Sequence, residues 1–144
     1  MEQSYADIIL PLAIKSRLTY SIPTDLLSVA RPGVRVLVQL GNRKLYSGII
    51  ARIYDDPPGL SKIRPVVDIP DPLPVVNEIQ LKLWGWISEY YMCSEGEVMK
   101  AAVPGILFPE GNTSAPVIEK YKPREETFVR MAKNYTDEEL NIIL

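Results

Sequence analysis

The run Asp68-Ile69-Pro70-Asp71-Pro72-Leu73-Pro74 divides this chain into two parts that follow different rules. A proline fixes φ near −65° and has no backbone N–H, so a run of this kind can be neither helix interior nor central strand. It must be an extended connector. Upstream of it the apolar residues alternate; downstream they recur every three or four residues.

In the upstream part, residues 5–10 and 18–23 are short runs that read as strands, the first stopped by Pro11. Pro32-Gly33 signals a turn. Val34, Val36 and Val38 then alternate with Arg35, Leu37 and Gln39, which predicts a half-buried strand. Gly41-Asn42-Arg43-Lys44 predicts a tight polar loop, and the β-branched and aromatic stretch 45–54 pairs with the preceding strand as a hairpin. Gly48 inside that stretch indicates a bulge or a close backbone approach. A loop follows at Asp55-Asp56-Pro57-Pro58-Gly59, then a further short strand at 63–69.

Downstream, Val76, Ile79, Leu83, Ile87 and Tyr90 form the stripe of an amphipathic helix over 76–93. Asn77 with Gln80 three residues on has the form of a capping box. Trp86 and Tyr90 share the stripe and are expected in the core, with Trp84 and Tyr91 towards the other side. A second short helix is expected over 96–102, stopped by Pro104-Gly105. Residues 111–116 are small and polar and read as a linker. Tyr121, Phe128, Val129 and Met131 suggest a strand, and Thr136 with its following acids opens a helix that stops unclosed at Leu144. The expected organisation is a domain over 1–111, a linker over 112–117 and the start of a truncated second domain over 118–144. The fold class is α+β: a small twisted or barrel-like sheet packed against one long and one short helix.

Composition restricts the chemistry. Of 144 residues, 47% are hydrophobic and 24% charged, enough apolar material for a core. With no histidine and a single cysteine, Cys93, the chain holds no internal disulfide, no Cys/His zinc site and no Ser-His or Cys-His pair. Neither a Gly-x-x-x-x-Gly-Lys-Ser/Thr loop nor a G-x-G-x-x-G occurs, so no ATP site is visible. Asp55-Asp56 reads as a solvated turn. The first ten residues lack the pattern of a signal peptide, and no apolar run approaches a membrane-spanning length. A cytoplasmic protein is expected, since a lone cysteine suits a reducing compartment.

Net charge is −2, so nucleic-acid binding would have to rest on a local cluster. Lys15 and Arg17, Arg43 and Lys44, and Lys62 and Arg64 lie in or beside three loops; gathered at one end of the sheet they would form a rim for phosphates. The alternative is ordinary solvated side chains.

The stretch from Trp86 through Tyr90-Tyr91 and Gly96-Glu97-Val98 to Pro104 resembles the N-terminal domain of the PriA-type primosomal helicases (primosomal protein N-prime). Residues 8–23, Pro32-Gly33-Val34 with Leu40-Gly41, and Gly48-Ile49-Ile50 resemble the same family in the same order. The resemblance implies recognition of the free 3′ end of a nascent leading strand at a stalled fork. It implies a DNA-binding pocket at Leu18, Thr19, Gly41 and Arg64. Many family members carry an aromatic at the position of Leu18, and some an Asp at that of Thr19. This implies weaker end recognition here, or a share for Tyr20, Asn42 or Lys44. The 118–144 tail resembles the opening of the family's winged-helix domain. The chain itself is expected to have no catalytic activity and no cofactor. For the parent protein the resemblance implies a 3′-to-5′ helicase with ATP, magnesium and zinc. Its implied partners are single-stranded-DNA-binding protein and other primosomal proteins. Two further readings remain open: a protein-interaction module of a DNA-processing assembly, and an enzyme domain for a small molecule, which the missing histidine and phosphate loop disfavour.

Overall fold

A computed structural model describes residues 3–60 and 62–108 and the backbone of 111–112. Four antiparallel strands, β1 (Ser4–Ile9), β2 (Leu18–Ile22), β3 (Arg35–Leu40) and β4 (Lys44–Tyr54), form a curled sheet in the order β2-β1-β4-β3. Helices α1 (Glu78–Tyr91) and α2 (Glu95–Ala102) follow, then a single 3₁₀ turn at Gly105–Leu107 and a two-residue strand β5 (Gly111–Asn112) paired with Lys44–Leu45. The class is α+β, as the change of period at the prolines indicates. The winged-helix expectation for 118–144 and, apart from Asn112, the expected linker over 112–117 lie outside the described residues.

Strand alternation divides the apolar residues between two cores. Ala6, Ile8, Tyr20, Ile22, Val36, Val38 and Ile50 fill the inside of the curl. Ile9 and Ile49 point outward and are covered by Leu81 and Trp84 of α1 and by Val98 and Met99 of α2. The β1–β4 register shifts between Asp7 and Ile8, a bulge that increases the local twist. Gly48 is a close approach: a Cβ there would stand 2.7 Å from the Ile9 carbonyl oxygen and from Ile8 and Leu10 side-chain atoms.

The stretch 63–69 is not the strand expected of it. It makes isolated bridges instead, Ser21 to Pro65 and Leu37 to Asp68. The Ser21 N–H donates to the Arg64 carbonyl at 3.0 Å, and the Val66 N–H donates to the Ser21 carbonyl at 2.9 Å. The Val67 N–H then donates to the Leu37 carbonyl and the Leu37 N–H to the Asp68 carbonyl, both at 2.8 Å. Pro65 has no N–H for a continuous ladder, so the segment touches each edge of the sheet in turn. It thereby links β2 to β3 and converts the open sheet into a half-barrel.

Helix α1 begins at Asn77, whose capping box with Gln80 is complete in both directions. Its rotation is set just upstream, where Gly33 at φ +90° accepts from the N–H of Val75 and of buried Val76. A Cβ on Gly33 would fall 1.9 Å from the Val76 carbonyl oxygen, so only glycine admits this junction. With that rotation the helix turns Leu81 and Trp84 into the core; of the expected stripe Val76 is buried and Ile87 packs partly against the core, and the rest is not buried. Trp84 is 3% exposed, whereas Ile79, Leu83, Trp86 (56%) and Tyr90 (66%) face outward. Both faces of α1 are apolar enough to satisfy the helical period, so periodicity alone selects the wrong one. The helix ends in a left-handed Met92 at φ 54°. Ser94 caps α2 with a second complete capping box, which holds the Glu97 carboxyl below its ordinary value through bonds to the Ser94 N–H and hydroxyl.

Trp84→Ala should therefore destabilise the domain by about 3–5 kcal/mol, and Trp86→Ala by no more than about 0.5 kcal/mol. Urea denaturation of the two variants checks the assignment; the reverse ranking would mean that α1 is rotated by half a turn.

Candidate nucleic-acid interface

Closure by 64–68 leaves a gap below it, between the start of β2 and the β3–β4 turn. A cleft of about 360 Å³ opens there, lined by Leu18, Thr19, Tyr20, Gln39, Leu40, Gly41, Leu60, Lys62 and Arg64. That volume lies in the low part of the range of small-ligand sites, ~300–1,000 Å³.

Each wall has a local cause. Ser21 directs its N–H and C=O away from β1 towards the crossing segment. Backbone groups two residues apart on a strand point the same way, so those of Thr19 also point away from β1, onto the open edge beside the cleft. Among the described residues no backbone group pairs with them. The Tyr20 hydroxyl donates to the Gln39 carbonyl at 3.1 Å and ties β2 to β3 beneath the gap. Burial raises the Tyr20 phenol above its ordinary range, and the nearby Arg64 charge partly opposes this. Arg64 donates through Nη1 to the Gly41 carbonyl, which clamps the crossing segment to the hairpin turn. Its other guanidinium donors make no protein bond among the described residues.

Gly41 sits at φ +70°, and a Cβ built there meets nothing within 4 Å. Its glycine is required by the left-handed backbone, and the space above it is open. Leu18, Leu40 and Leu60 supply the apolar surface. The arrangement can hold one flat or ring-shaped group against leucine, offer it a strand edge for hydrogen bonds, and place a guanidinium and an ammonium near an attached phosphate.

Five of the seven residues singled out from sequence, Leu18, Thr19, Tyr20, Gly41 and Arg64, are brought together here. Asn42 and Lys44 do not line the cleft. The Asn42 carbonyl accepts from Gln39 Nε2 at 2.9 Å within the turn, and Lys44 pairs with Asn112. Nor do the three basic pairs form one rim. Lys62 and Arg64 line the cleft, but Arg17 is held in a bidentate pair by Glu95 at 2.7 Å, which raises its pKa. Lys15 borders a separate small pocket with Arg17 and Glu95. Sequence reading passes over Gln39, Leu40 and Leu60, which carry no chemical signal of their own and enter only through the closure. It also passes over Asp7, which accepts from the Thr19 hydroxyl at 2.9 Å and from the Tyr54 hydroxyl at 3.0 Å. Among the described residues no group of three His, Cys, Asp or Glu side chains could hold a metal ion, and no helix is long and apolar enough to cross a membrane.

Residues 7–104 match the family model of a domain described as the 3′ DNA-binding domain (3′BD). That domain is the one found in PriA, and the chain belongs to the PriA 3′ DNA-binding domain family. It is also 29% identical over 106 residues to the replication restart protein PriA of Chlamydia trachomatis serovar D. The alignment takes in 71% of this chain but only 14% of that protein, so the chain spans a small part of its relative's length.

The conformational account of Gly41 gives a stability test. Gly41→Ala should cost about 1–2 kcal/mol, the strain of a left-handed non-glycine residue, and Gly41→Asn distinctly less. Thermal melts of both variants check this; equal losses would show that backbone handedness is not what glycine provides.

Proposed function

We propose that this chain captures the free 3′ end of a nascent leading strand at an abandoned replication fork. The terminal nucleotide enters the cleft between β2 and the β3–β4 turn. Membership of the 3′ DNA-binding family supports this reading. The single observation that carries it is the meeting of the open Thr19 strand edge with Arg64 and Gly41 in one cleft. Leu18, Leu40 and Leu60 take the base or sugar by apolar contact. Thr19 offers hydrogen bonds to the base edge or terminal hydroxyl, and Arg64 with Lys62 holds the last phosphates. Apolar contact and a backbone edge tolerate any base, so the site binds an end without reading sequence. Leucine stacks less well on a base than an aromatic ring does, which makes this a modest binder.

In this reading the domain extends over 1–111, followed by a linker at 112–117 and a winged-helix-like unit from 118. The parent is a cytoplasmic ATP-dependent 3′-to-5′ helicase that reloads the replicative helicase. Its partners are single-stranded-DNA-binding protein and other primosomal proteins. ATP, magnesium and zinc belong to parts of the parent outside this chain, which performs no catalysis itself. A second reading, a module that docks another protein, is favoured by the exposed Leu83, Trp86 and Tyr90 on α1.

Fluorescence anisotropy with single strands tests the first reading. Arg64→Ala should weaken binding of a free 3′ end by about 1–3 kcal/mol, the range for hydrogen bonds to a charged group. The same variant should affect a strand with a blocked 3′ end much less. The slope of log affinity against log salt should be about −1.5 to −2, as expected for two or three phosphate contacts at roughly −0.7 each. An unchanged affinity in Arg64→Ala, or a slope several times steeper, contradicts the proposed site.

A further inference from the structure

The cleft is not the only concavity that carries free cations. Between the last residues of β4 and the first turns of α1, on the outer face of the sheet, a groove of about 320 Å³ is lined by Arg17, Pro32, Arg52, Glu78, Leu81 and Lys82. Arg17 is neutralised by Glu95, but Arg52 and Lys82 have no ion pair among the described residues. The Arg52 guanidinium lies over the Tyr54 ring, 5.1 Å from its centroid, and Tyr54 stacks in turn on Tyr5 at 6.1 Å and donates to Asp7 at 3.0 Å. That support holds the guanidinium plane in place and leaves its N–H donors without a protein partner among the described residues. A guanidinium backed by a ring in this way loses little freedom when a phosphate binds it. Lys82 is exposed and does not pair with Glu78 one turn before it. Glu78 stands in the first turn of α1, where the helix dipole offsets a carboxylate.

The position of this groove relative to the cleft decides what it can take. Thr19 on β2, Asp7 on β1 and Arg52 on β4 stand in one row across three adjacent strands. Two strand spacings put Thr19 and Arg52 about 10 Å apart, close to the ~12 Å over which the two backbones of B-DNA face each other across the major groove. Between them lies Asp7, half-buried and without an ion pair among the described residues. A single strand running from the cleft to the outer groove would lay a phosphate over that carboxylate. The end of a duplex would not. One backbone enters at the cleft, the space between the backbones passes over Asp7, and the facing backbone meets Arg52 and Lys82.

We propose that the outer groove is a second DNA site, which grips the sugar-phosphate backbone of the complementary strand through Arg52 and Lys82. This rests on the proposed function and adds to it the strand opposite the captured end. The chain then prefers a 3′ end that is paired with a complement to the same end on a bare single strand. Only phosphates of the complement are reached, so the preference carries no base-sequence readout. The cleft still takes one nucleotide, and the outer groove reports that a second backbone is present.

The experiment uses one labelled strand with a free 3′ hydroxyl in three states: alone, annealed to a longer complement, and annealed to that complement with neutral methylphosphonate linkages opposite the last few pairs. The unaltered chain should bind the first duplex roughly tenfold tighter than the single strand, as two added phosphate contacts allow. The slope of log affinity against log salt should steepen by about 1.8, at roughly 0.9 per contact on a duplex. The methylphosphonate complement should abolish both gains. Arg52→Gln combined with Lys82→Gln should bring duplex binding to within about twofold of single-strand binding and leave the single strand unchanged. Glu78→Gln removes the one carboxylate of α1 that lines the groove. It should tighten duplex binding by roughly two- to threefold with no effect on the single strand, a gain that a merely damaged surface would not show. If the double variant unfolds, Lys82→Gln alone and Glu78→Gln, both at exposed helix positions, decide the matter. Equal binding of single strand and duplex by the unaltered chain, an undiminished gain with the methylphosphonate complement, or equal losses on single strand and duplex in the variants overturns the second site and leaves the proposed function standing. Equal binding of free and blocked 3′ ends overturns the proposed function, and this inference with it.

Discussion

Five backbone hydrogen bonds hold residues 64–68 across the mouth of the sheet, two to Ser21 on β2 and three to Leu37 on β3. Without them β2 and β3 would be the two free edges of a four-stranded sheet, each exposing a row of unpaired backbone groups. With them the sheet curls, Val66 and Ile69 enter the inner core, and the strand edge at Thr19 becomes one wall of a cleft. The same segment delivers Arg64 to the turn at Gly41. Fold closure and site assembly are thus one event. The proline run continues from this segment, and its Asp71 accepts a bidentate bond from Arg35 of β3 at 2.8 and 3.0 Å, with Arg35 also donating to the Leu107 carbonyl. Arg35 thereby ties both the connector and the 3₁₀ turn at Gly105–Leu107 to the sheet.

Net charge bears on this only locally. A chain with more acids than bases can bind DNA if a small group of cations has no counter-ion and the acids lie elsewhere. Arg17 and Arg35 are neutralised by Glu95 and Asp71. Lys62 and Arg64 have no ion pair among the described residues, and they are the two cations that line the cleft. A site of this size suits one terminal nucleotide and not a length of duplex.

The parts legible in the sequence are those governed by nearest neighbours. The β3–β4 hairpin could be read because alternating valines meet a Gly-Asn turn. The start of α1 could be read because Asn77 and Gln80 satisfy each other across one helical turn, and Gly48 because a glycine inside a strand needs a spatial reason. The segment 63–69 misled because Ile63, Val66, Val67 and Ile69 have strand composition, while Pro65 denies them a ladder, a conflict settled only by two distant strand edges. The buried face of α1 misled because Trp84 and Trp86 are equally apolar; Gly33, more than forty residues earlier, decides between them by fixing the entry of the helix. In the cleft, Leu18, Thr19, Gly41 and Arg64 could be named from family likeness. Gln39, Leu40 and Leu60 could not, since nothing in their chemistry distinguishes them before the chain closes.

The most direct test of the central claim, that a DNA terminus enters the gap left by this closure, is a two-dimensional amide NMR titration of the labelled chain with a short single strand bearing a free 3′ hydroxyl. The account predicts shifts concentrated at Leu18, Thr19, Gly41, Lys62 and Arg64, with little change along α1. Shifts concentrated at Leu83, Trp86 and Tyr90, with the cleft amides unmoved, would contradict it.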